Sequence, residues 1–263
     1  MTSQIWKLET GGGPLVATAI HAGGEVRAEL LDYLAIDGKS RKREEDPYTD
    51  IWTAVASNRV VVEASRFQVD LNRPRDKAVY LSAEDAWGLM VWKRDLPEHA
   101  IAVSLAEYDD FYRGMDRLCS NLRDRYGCFV VYDLHSYNHR RSGPDAPPAD
   151  IETNPQVNVG TGTMTDRTRF QPVIECFIET LQTAEFPMGA MDVRENIKFK
   201  GGQFARWAHA TFPDSACVLS IEFKKTFMDE WTGKPDTQIV SAIRNALAST
   251  VSPVLSALET IEK

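Results

Sequence analysis

Residues 128–134 have the sequence Cys-Phe-Val-Val-Tyr-Asp-Leu, which places apolar side chains on both faces of a strand. A strand of this kind is typical of the centre of a parallel sheet that helices cover on both sides. This segment constrains the fold strongly, because it requires other parts of the chain against each of its faces. The sequence therefore predicts a layered α/β protein.

The rest of the chain alternates between short β-branched runs and longer helical patterns. We predict further strands over residues 15–20, 59–63, 67–71, 191–194 and 217–223. We predict helices over residues 82–92, 104–125, 168–185, 202–211 and 237–248. The long segment 140–165 is predicted to be an irregular, functional loop. This alternation predicts a single α/β domain over residues 1–263, with a mixed, mostly parallel sheet and helices on both faces.

Composition excludes several classes of function. The chain has 263 residues, of which 30 are basic and 38 acidic, so its net charge is −8. We expect neither nucleic acid nor a membrane as a partner, because the charge is unsuited to anionic surfaces and no apolar run approaches about 18 residues. The cysteines form no CxxC pair and the start lacks a secretory pattern, so we expect a cytoplasmic protein. The sequence makes no prediction of oligomeric state.

Chemically capable side chains follow the predicted strands. His21 comes directly after the first of these strands, Asn72 and Arg73 after the third, and His135 after the central one, while Glu222 lies late in the strand 217–223. Ligands of open α/β sheets bind beyond the carboxyl ends of the strands, where these residues are expected to meet. Two histidines and a nearby carboxylate are ligands that a catalytic zinc ion takes, although a histidine in such a place can also serve only to hold a loop.

The other candidates also have two interpretations. Glu222 stands in an otherwise apolar strand, where burial favours a general base, but a salt bridge to Lys224 or Lys225 is equally open. Asn72 and Arg73 offer an amide and a guanidinium fork that suit a carboxylate, although an arginine before a proline is also common in an ordinary turn. Arg141 is a candidate for a second anion contact, or it only balances the acidic charge.

These motifs carry a resemblance to a known family. The order His21, Asn72-Arg73, His135-Ser-Tyr and Glu222 resembles the zinc carboxypeptidase clan, and within it the N-formylglutamate amidohydrolase family. Supporting segments are 65–74, 133–138, 158–160 and 196–202, and the similarity extends over roughly residues 15–225. The resemblance implies a zinc carboxypeptidase or phosphorylase/hydrolase-like fold.

The resemblance also implies roles for individual residues. His21 and His135 would bind zinc, Glu222 would act as general base and then acid, and Arg73 with Asn72 would hold the substrate carboxylate. Asn196, from the segment 196–202, joins the substrate-binding candidates.

The carboxylate ligand is where this chain departs from the pattern of the clan. The clan pattern is His-x-x-Glu, whereas this chain has His21-x-x-x-Glu25. Glu25 is the first choice for the third ligand, since a helical turn would bring it onto the face of His21, and Asp46 is the alternative.

The function implied is zinc-dependent hydrolysis of a small anionic N-acyl amino acid such as N-formylglutamate. Two alternatives stay open at this point. One is a peptide hydrolase of carboxypeptidase type, and the other is a binding protein of the same fold that has lost catalysis.

Overall fold

A seven-stranded mixed sheet forms the middle of the protein. The structure, a computed structural model, describes residues 4–261. The strands are β1 (Trp6–Glu9), β2 (Leu15–Ala19), β3 (Asn58–Val62), β4 (Phe129–Tyr137), β5 (Val157–Gly160), β6 (Val193–Glu195) and β7 (Ala216–Lys224). Their order is β1-β3-β2-β4-β7-β5-β6. Strands β3, β2, β4 and β7 are parallel, β1 is antiparallel to β3, and β5 is antiparallel to β7 and parallel to β6.

Helices cover both faces of this sheet. They are α1 (Ala28–Leu31), α2 (Gly38–Glu44), α3 (Thr49–Trp52), α4 (Glu98–Tyr126), α5 (Gln171–Thr183), α6 (Gln203–Thr211) and α7 (Thr237–Glu259). Helices α5 and α7 pack on one face against Tyr132 and Leu219, and helices α4 and α6 pack on the other against Val131 and Val218. The predicted α/β fold, with a mixed sheet between two helical layers, is confirmed.

The sheet has a switch point between β2 and β4. The chain passes from β2 to β3 on one side of β2, and then crosses back to place β4 on the other side. The carboxyl ends of two such strands leave a crevice where ligands of doubly wound sheets bind. His21 follows β2 and His135 lies near the end of β4, so both histidines flank this crevice.

Two predicted elements are wrong. Residues 67–71 form a buried turn instead of a strand, in which the Gln68 N–H donates to the Ser65 carbonyl oxygen at 2.9 Å. The predicted helix 82–92 is a single 3₁₀ turn, Glu84–Ala86. Ser82 and Asp85 do form the capping contacts that the sequence indicates, but Trp87 then adopts a left-handed conformation with φ 54° and ends the turn.

Other differences concern two further strands and the bounds of two helices. Strand β1 was not predicted, and β5 lies inside the segment 140–165 that was expected to be wholly irregular. Helix α4 begins at Glu98 after Pro97, well before Ser104, whose buried hydroxyl donates to the Gln68 carbonyl oxygen at 2.8 Å. Helix α7 continues to Glu259. The domain bounds of 1–263 reach beyond residues 4–261 and stay a prediction.

In the described part of the chain, residues 4–261, no helix is both long enough and apolar enough to cross a membrane.

One buried histidine completes the hydrogen bonding of the sheet. Strand β5 pairs with β7 only over residues 220–223 of β7, and beyond that the Val218 N–H donates to His209 Nε2 at 3.1 Å. His209 Nδ1 lies 2.8 Å from Thr163 Oγ1, and the residue is 2% exposed. Since Nε2 must stay unprotonated to accept from Val218, the imidazole is held neutral, and burial lowers the pKa of His209 to about 4.

The low pKa of His209 predicts that the free energy of unfolding decreases in acid. Its pKa is about 4 when folded and 6.5 ordinarily. Between pH 4 and pH 6.5 the His209 imidazole is therefore protonated in the unfolded chain but neutral in the folded protein. The contribution of His209 to the stability of the folded protein is complete above pH 6.5 and is lost as the pH falls towards 4. Between pH 7.5 and pH 4.5, the free energy of unfolding of the wild type should decrease by about 2–3 kcal/mol more than that of His209→Gln, as measured by urea unfolding. The exposed His99 supplies the control, since His99→Gln should follow the wild-type pH dependence; equal slopes for all three proteins would contradict the prediction.

Candidate metal and active site

Three buried donor groups meet at the carboxyl edge of the sheet. One ligand atom from each of His21, Asp46 and His135 lies within 4.8 Å of the others. His21 follows β2, and His135 lies within β4, which continues past it to Tyr137. In both imidazoles Nδ1 faces Asp46 Oδ2, at 3.4 Å from His21 and 3.0 Å from His135. Two neighbouring parallel strands thus bring both predicted histidines to one carboxylate.

The segment after helix α2 carries Asp46 to this position. The Asp46 N–H donates to the His21 carbonyl oxygen at 2.9 Å, and Ser136 Oγ donates to Asp46 Oδ1 at 3.1 Å. Lys225 is 1% exposed, and its Nζ donates to the carbonyl oxygens of Arg43 and Glu45 at 2.6 and 2.7 Å. These contacts hold the segment against the ends of β2, β4 and β7.

The outer nitrogens of both imidazoles face further carboxylates. His21 Nε2 is 2.8 Å from Asp70 Oδ1, and His135 Nε2 is 3.1 Å from Asp133 Oδ2. A histidine that binds a metal through one nitrogen usually has a carboxylate or carbonyl at the other, which orients the ring and raises its basicity. His21 has this arrangement through a hydrogen bond, whereas His135 Nε2 lies near Asp133 but makes no hydrogen bond among residues 4–261. In both rings Nδ1 is the nitrogen that faces Asp46.

The electrostatics of the cluster favour a bound cation. Burial acts to raise the pKa of the Asp46 carboxyl, but the two imidazoles outweigh burial and lower this pKa below its ordinary range. Burial acts to lower the pKa of His135, but the carboxylates of Asp133 and Asp46 outweigh it and raise this pKa well above its ordinary value. The site therefore attracts a positive charge, and a metal ion competes there with protons. Two imidazole nitrogens and a carboxylate oxygen form the donor set of a catalytic zinc site, so these residues could hold zinc.

Glu25, the first choice for the carboxylate ligand, lies outside this cluster. No helical turn follows His21. Gly23 instead packs so closely on the backbone of Glu63 that a Cβ there would collide with it. The chain then continues beside β3, where the Glu25 N–H donates to the Glu63 carbonyl oxygen at 3.1 Å and Glu25 forms a bridge with Ala64. The Glu25 side chain is exposed, and the geometry supplies Asp46, the alternative, in its place.

Glu222 lies on β7 in register with His135 of β4 and lines the same pocket. Among residues 4–261, no ion pair or hydrogen bond engages its carboxylate, and Lys225 is occupied by backbone carbonyls. Burial, together with the negative charges of Asp46 and Asp133 and against the charge of His135, raises the pKa of Glu222 to about 7. A carboxylate in this state can both accept and return a proton near neutral pH.

The pocket around Glu222 has a volume of about 440 Å³, which suits a small molecule. Cationic groups form much of its wall. Arg73 lies over the rings of Tyr80 and Trp87, at 4.8 and 5.6 Å from their centroids, and its nearest carboxylate contact is a loose 3.7 Å to Asp70. The cationic side chains of the lining are Arg66, Arg73, Arg141, Lys198, Lys200 and Lys225.

The remaining substrate-binding candidates differ in their placement. Asn72 lines the pocket, but its Oδ1 accepts the Phe204 N–H at 3.0 Å and so caps helix α6. Arg141 also lines the pocket and pairs with the buried Glu44, with Nη2 3.1 Å from Oε2. Asn196 is not part of the lining. Its Oδ1 accepts the N–H groups of Thr161 and Gly162 at 2.9 and 3.0 Å, so it holds a turn.

Sequence reasoning missed four residues of the site. Asp70 and Lys198 lie in the motifs 65–74 and 196–202, and Asn138 directly follows His135-Ser-Tyr, so the motifs themselves were a signal for these three. Trp87 had no such signal, because its place depends on the left-handed turn that ends the 3₁₀ segment.

Comparisons with known proteins agree with this fold. The crystal structure of N-formylglutamate amidohydrolase from Ralstonia eutropha JMP134 superposes with a TM-score of 0.72 at 15% identity, over 98% of each chain. A gene product of Agrobacterium tumefaciens superposes with a TM-score of 0.68 at 16% identity, over 98% of this chain and 97% of that chain. A search of curated proteins finds no match.

The family assignment rests on the sequence. A family model described as N-formylglutamate amidohydrolase matches residues 13–228, which include β2, β4, β7 and all the site residues described above. The predicted resemblance over roughly residues 15–225 is confirmed. The chain belongs to the N-formylglutamate amidohydrolase family.

Proposed function

We propose that this protein is a metal-dependent amidohydrolase that cleaves a small anionic N-acyl amino acid such as N-formylglutamate. The observation that carries this proposal is the buried group of His21, Asp46 and His135 beside the free carboxylate of Glu222, in one cation-lined pocket. Family membership supports hydrolysis of an amide. The donor set supports zinc as the metal, and the motif order supports a place in the zinc carboxypeptidase clan.

Zinc held by these three residues would supply a Lewis acid that polarises the acyl carbonyl and makes water more acidic. Glu222 accepts a proton from the attacking water as the new C–O bond forms. The same carboxyl then delivers that proton to the nitrogen as the C–N bond breaks, which yields formate and the free amino acid. Arg73 fixes the substrate carboxylate, so the scissile bond is held next to Glu222.

A small substrate is favoured over a peptide. Segments from distant parts of the chain approach each other at the pocket, where the Arg141 guanidinium lies 6.0 Å from the centroid of the Trp87 ring. Arg73, Arg141 and Lys198 provide more positive charge than one terminal carboxylate requires. The unengaged Glu222 carboxylate favours an enzyme over a binding protein that has lost catalysis.

We infer a cytoplasmic enzyme with one metallohydrolase domain over residues 1–263. Cys119, Cys128, Cys176 and Cys217 are all free thiols, three of them buried, as expected in a reducing compartment.

Metal binding gives the first test. Purified wild-type protein should contain about one zinc ion per chain, removable by a chelator together with activity. His21→Ala and His135→Ala should each lose the metal, because two remaining ligands hold zinc poorly. The exposed His99 is the control, and His99→Ala should keep it. Folded wild-type protein that takes up no zinc, as measured by elemental analysis, would contradict metal dependence.

Substitution of Glu222 separates catalysis from metal binding. Glu222→Gln keeps the size of the side chain but cannot accept the water proton, so kcat should fall about 10²–10⁴-fold. The zinc content should be unchanged. Glu179→Gln, on the exposed side of helix α5, should keep wild-type kcat. A kcat for Glu222→Gln near that of the wild type would remove the proposed role.

Arg73 is expected to act in substrate binding. Arg73→Met should raise the KM for N-formylglutamate about 10–100-fold, the effect of one charged hydrogen bond, with a smaller change in kcat. Arg75, two residues on, pairs with Asp109 on the surface outside the pocket lining, so Arg75→Met is the matched control and should leave KM unchanged. Steady-state kinetics that show the same KM for both variants would exclude Arg73 from the carboxylate site.

A further inference from the structure

Trp87 combines two features that an ordinary surface tryptophan lacks. Its backbone is left-handed, with φ 54°, although a bulky side chain strains that conformation. The residue is also 45% exposed, so burial in the core does not account for its position. The turn is closed by Gly88, whose N–H donates to the Ala83 carbonyl oxygen at 2.7 Å. Backbone strain of this kind is concentrated at functional sites, which indicates a task for the indole.

The indole of Trp87 lies at the wall of the pocket, among arginine side chains. The centroid of the ring is 4.9 Å from the Arg66 guanidinium, 5.6 Å from that of Arg73 and 6.0 Å from that of Arg141. Cations are attracted to the face of an aromatic ring, and most strongly to that of tryptophan. The ring therefore offsets part of the repulsion between these three positive charges.

Two of these arginines differ in how they are held. Arg66 is fixed by the buried Asp70, with Nη2 2.7 Å from Oδ2. Arg73 approaches the same carboxylate only to 3.7 Å, and no hydrogen bond engages its guanidinium among residues 4–261. The Arg73 side chain is 27% exposed, and none of its nitrogen atoms is buried without a partner, so a ligand can reach its N–H groups.

Aromatic rings supply the support that Arg73 lacks. Its guanidinium is 4.8 Å from the centroid of the Tyr80 ring and 5.6 Å from that of Trp87. These two rings are 6.0 Å apart at an angle of 70°, so the guanidinium lies in the corner between them. A close carboxylate would occupy N–H donors, whereas a ring attracts the charge and leaves the donors available. Arg73 is thus held in place with its donors free, which lowers the entropy cost of binding an anion.

We propose that Trp87 is a positioning residue that holds the Arg73 guanidinium for the substrate carboxylate, and so determines the affinity for the anionic substrate. This inference rests on the proposed function. Arg66, fixed by Asp70, anchors the indole on one side, and Arg73 is the group that the indole holds. Because Trp87 acts through a group that binds the substrate, and not through Glu222, its loss should change KM more than kcat.

The test is steady-state kinetics of the zinc-loaded protein with N-formyl-L-glutamate. Trp87→Leu removes the ring and should raise KM about 3–10-fold, the effect of one partly exposed cation–π contact, with kcat changed by about twofold at most. Trp87→Phe keeps a ring and should restore most of the affinity. Leucine and phenylalanine are both strained in a left-handed conformation, so this pair of variants differs mainly in the ring.

Trp231 supplies the matched control. Its ring is 4.0 Å from the Arg43 guanidinium, and neither residue lines the pocket. Trp231→Leu should therefore keep the wild-type KM.

A double variant separates positioning from a merely structural role. Trp87→Leu should raise KM in the wild-type background but not in Arg73→Met, because the guanidinium that the ring holds is already absent there. General damage to the pocket would instead raise KM by the same factor in both backgrounds.

Should Trp87→Leu fail to fold, Trp87→Gly, which suits the left-handed backbone, serves in the same comparison. A wild-type KM for Trp87→Leu, or the same rise in KM in both backgrounds, would overturn the role of Trp87 while the proposed function stands. A zinc-loaded wild type that does not cleave N-formyl-L-glutamate would overturn both proposals.

Discussion

The Asp46 carboxylate is the group on which the candidate site depends. It is buried, and its Oδ2 contacts Nδ1 of both His21 and His135, which come from neighbouring parallel strands. A buried carboxylate is costly unless it is paired and hydrogen-bonded, so its presence there requires these partners. Asp70 and Asp133 stand behind the two imidazoles, and Asp70 is in turn paired with Arg66, whose Nη2 lies 2.7 Å from Asp70 Oδ2. The same arrangement therefore explains both the local structure and the affinity expected for a metal.

Sequence patterns were sufficient to predict the strands that position this site. The apolar runs of β2, β4 and β7 predicted parallel neighbours, and strands of that kind bring their carboxyl ends together whatever the intervening loops do. His21, His135 and Glu222 could be placed for that reason, because each is at or near the end of such a strand. The carboxylate of the candidate metal site could not be placed in this way. Asp46 lies in a loop segment whose position is determined by hydrogen bonds to His21 and Ser136, which are remote in the sequence.

The errors in the fold have a similar cause. The run 67–71 alternates like a strand, but its backbone is folded back by Ser65 and buried under helix α4, where Phe67 is fully enclosed. Strand β5 lies in a polar, proline-rich segment without a strand pattern, and it forms because it pairs with β7. Tertiary pairing outweighed local pattern in both places, as is usual for strands. Substrate binding by Asn196 stays a prediction; in the structure its amide oxygen accepts the N–H groups of Thr161 and Gly162.

The buried Lys225 links the segment that carries Asp46 to β7, the strand that carries Glu222. Lys225 directly follows β7, and its Nζ donates hydrogen bonds to the carbonyl oxygens of Arg43 and Glu45. Small motions of the sheet would consequently move Glu222 and the segment that carries Asp46 together. The surface loops around the pocket can then vary in length and sequence, and so change which small molecule the pocket accepts, without changing the spacing between Glu222 and the group of His21, Asp46 and His135.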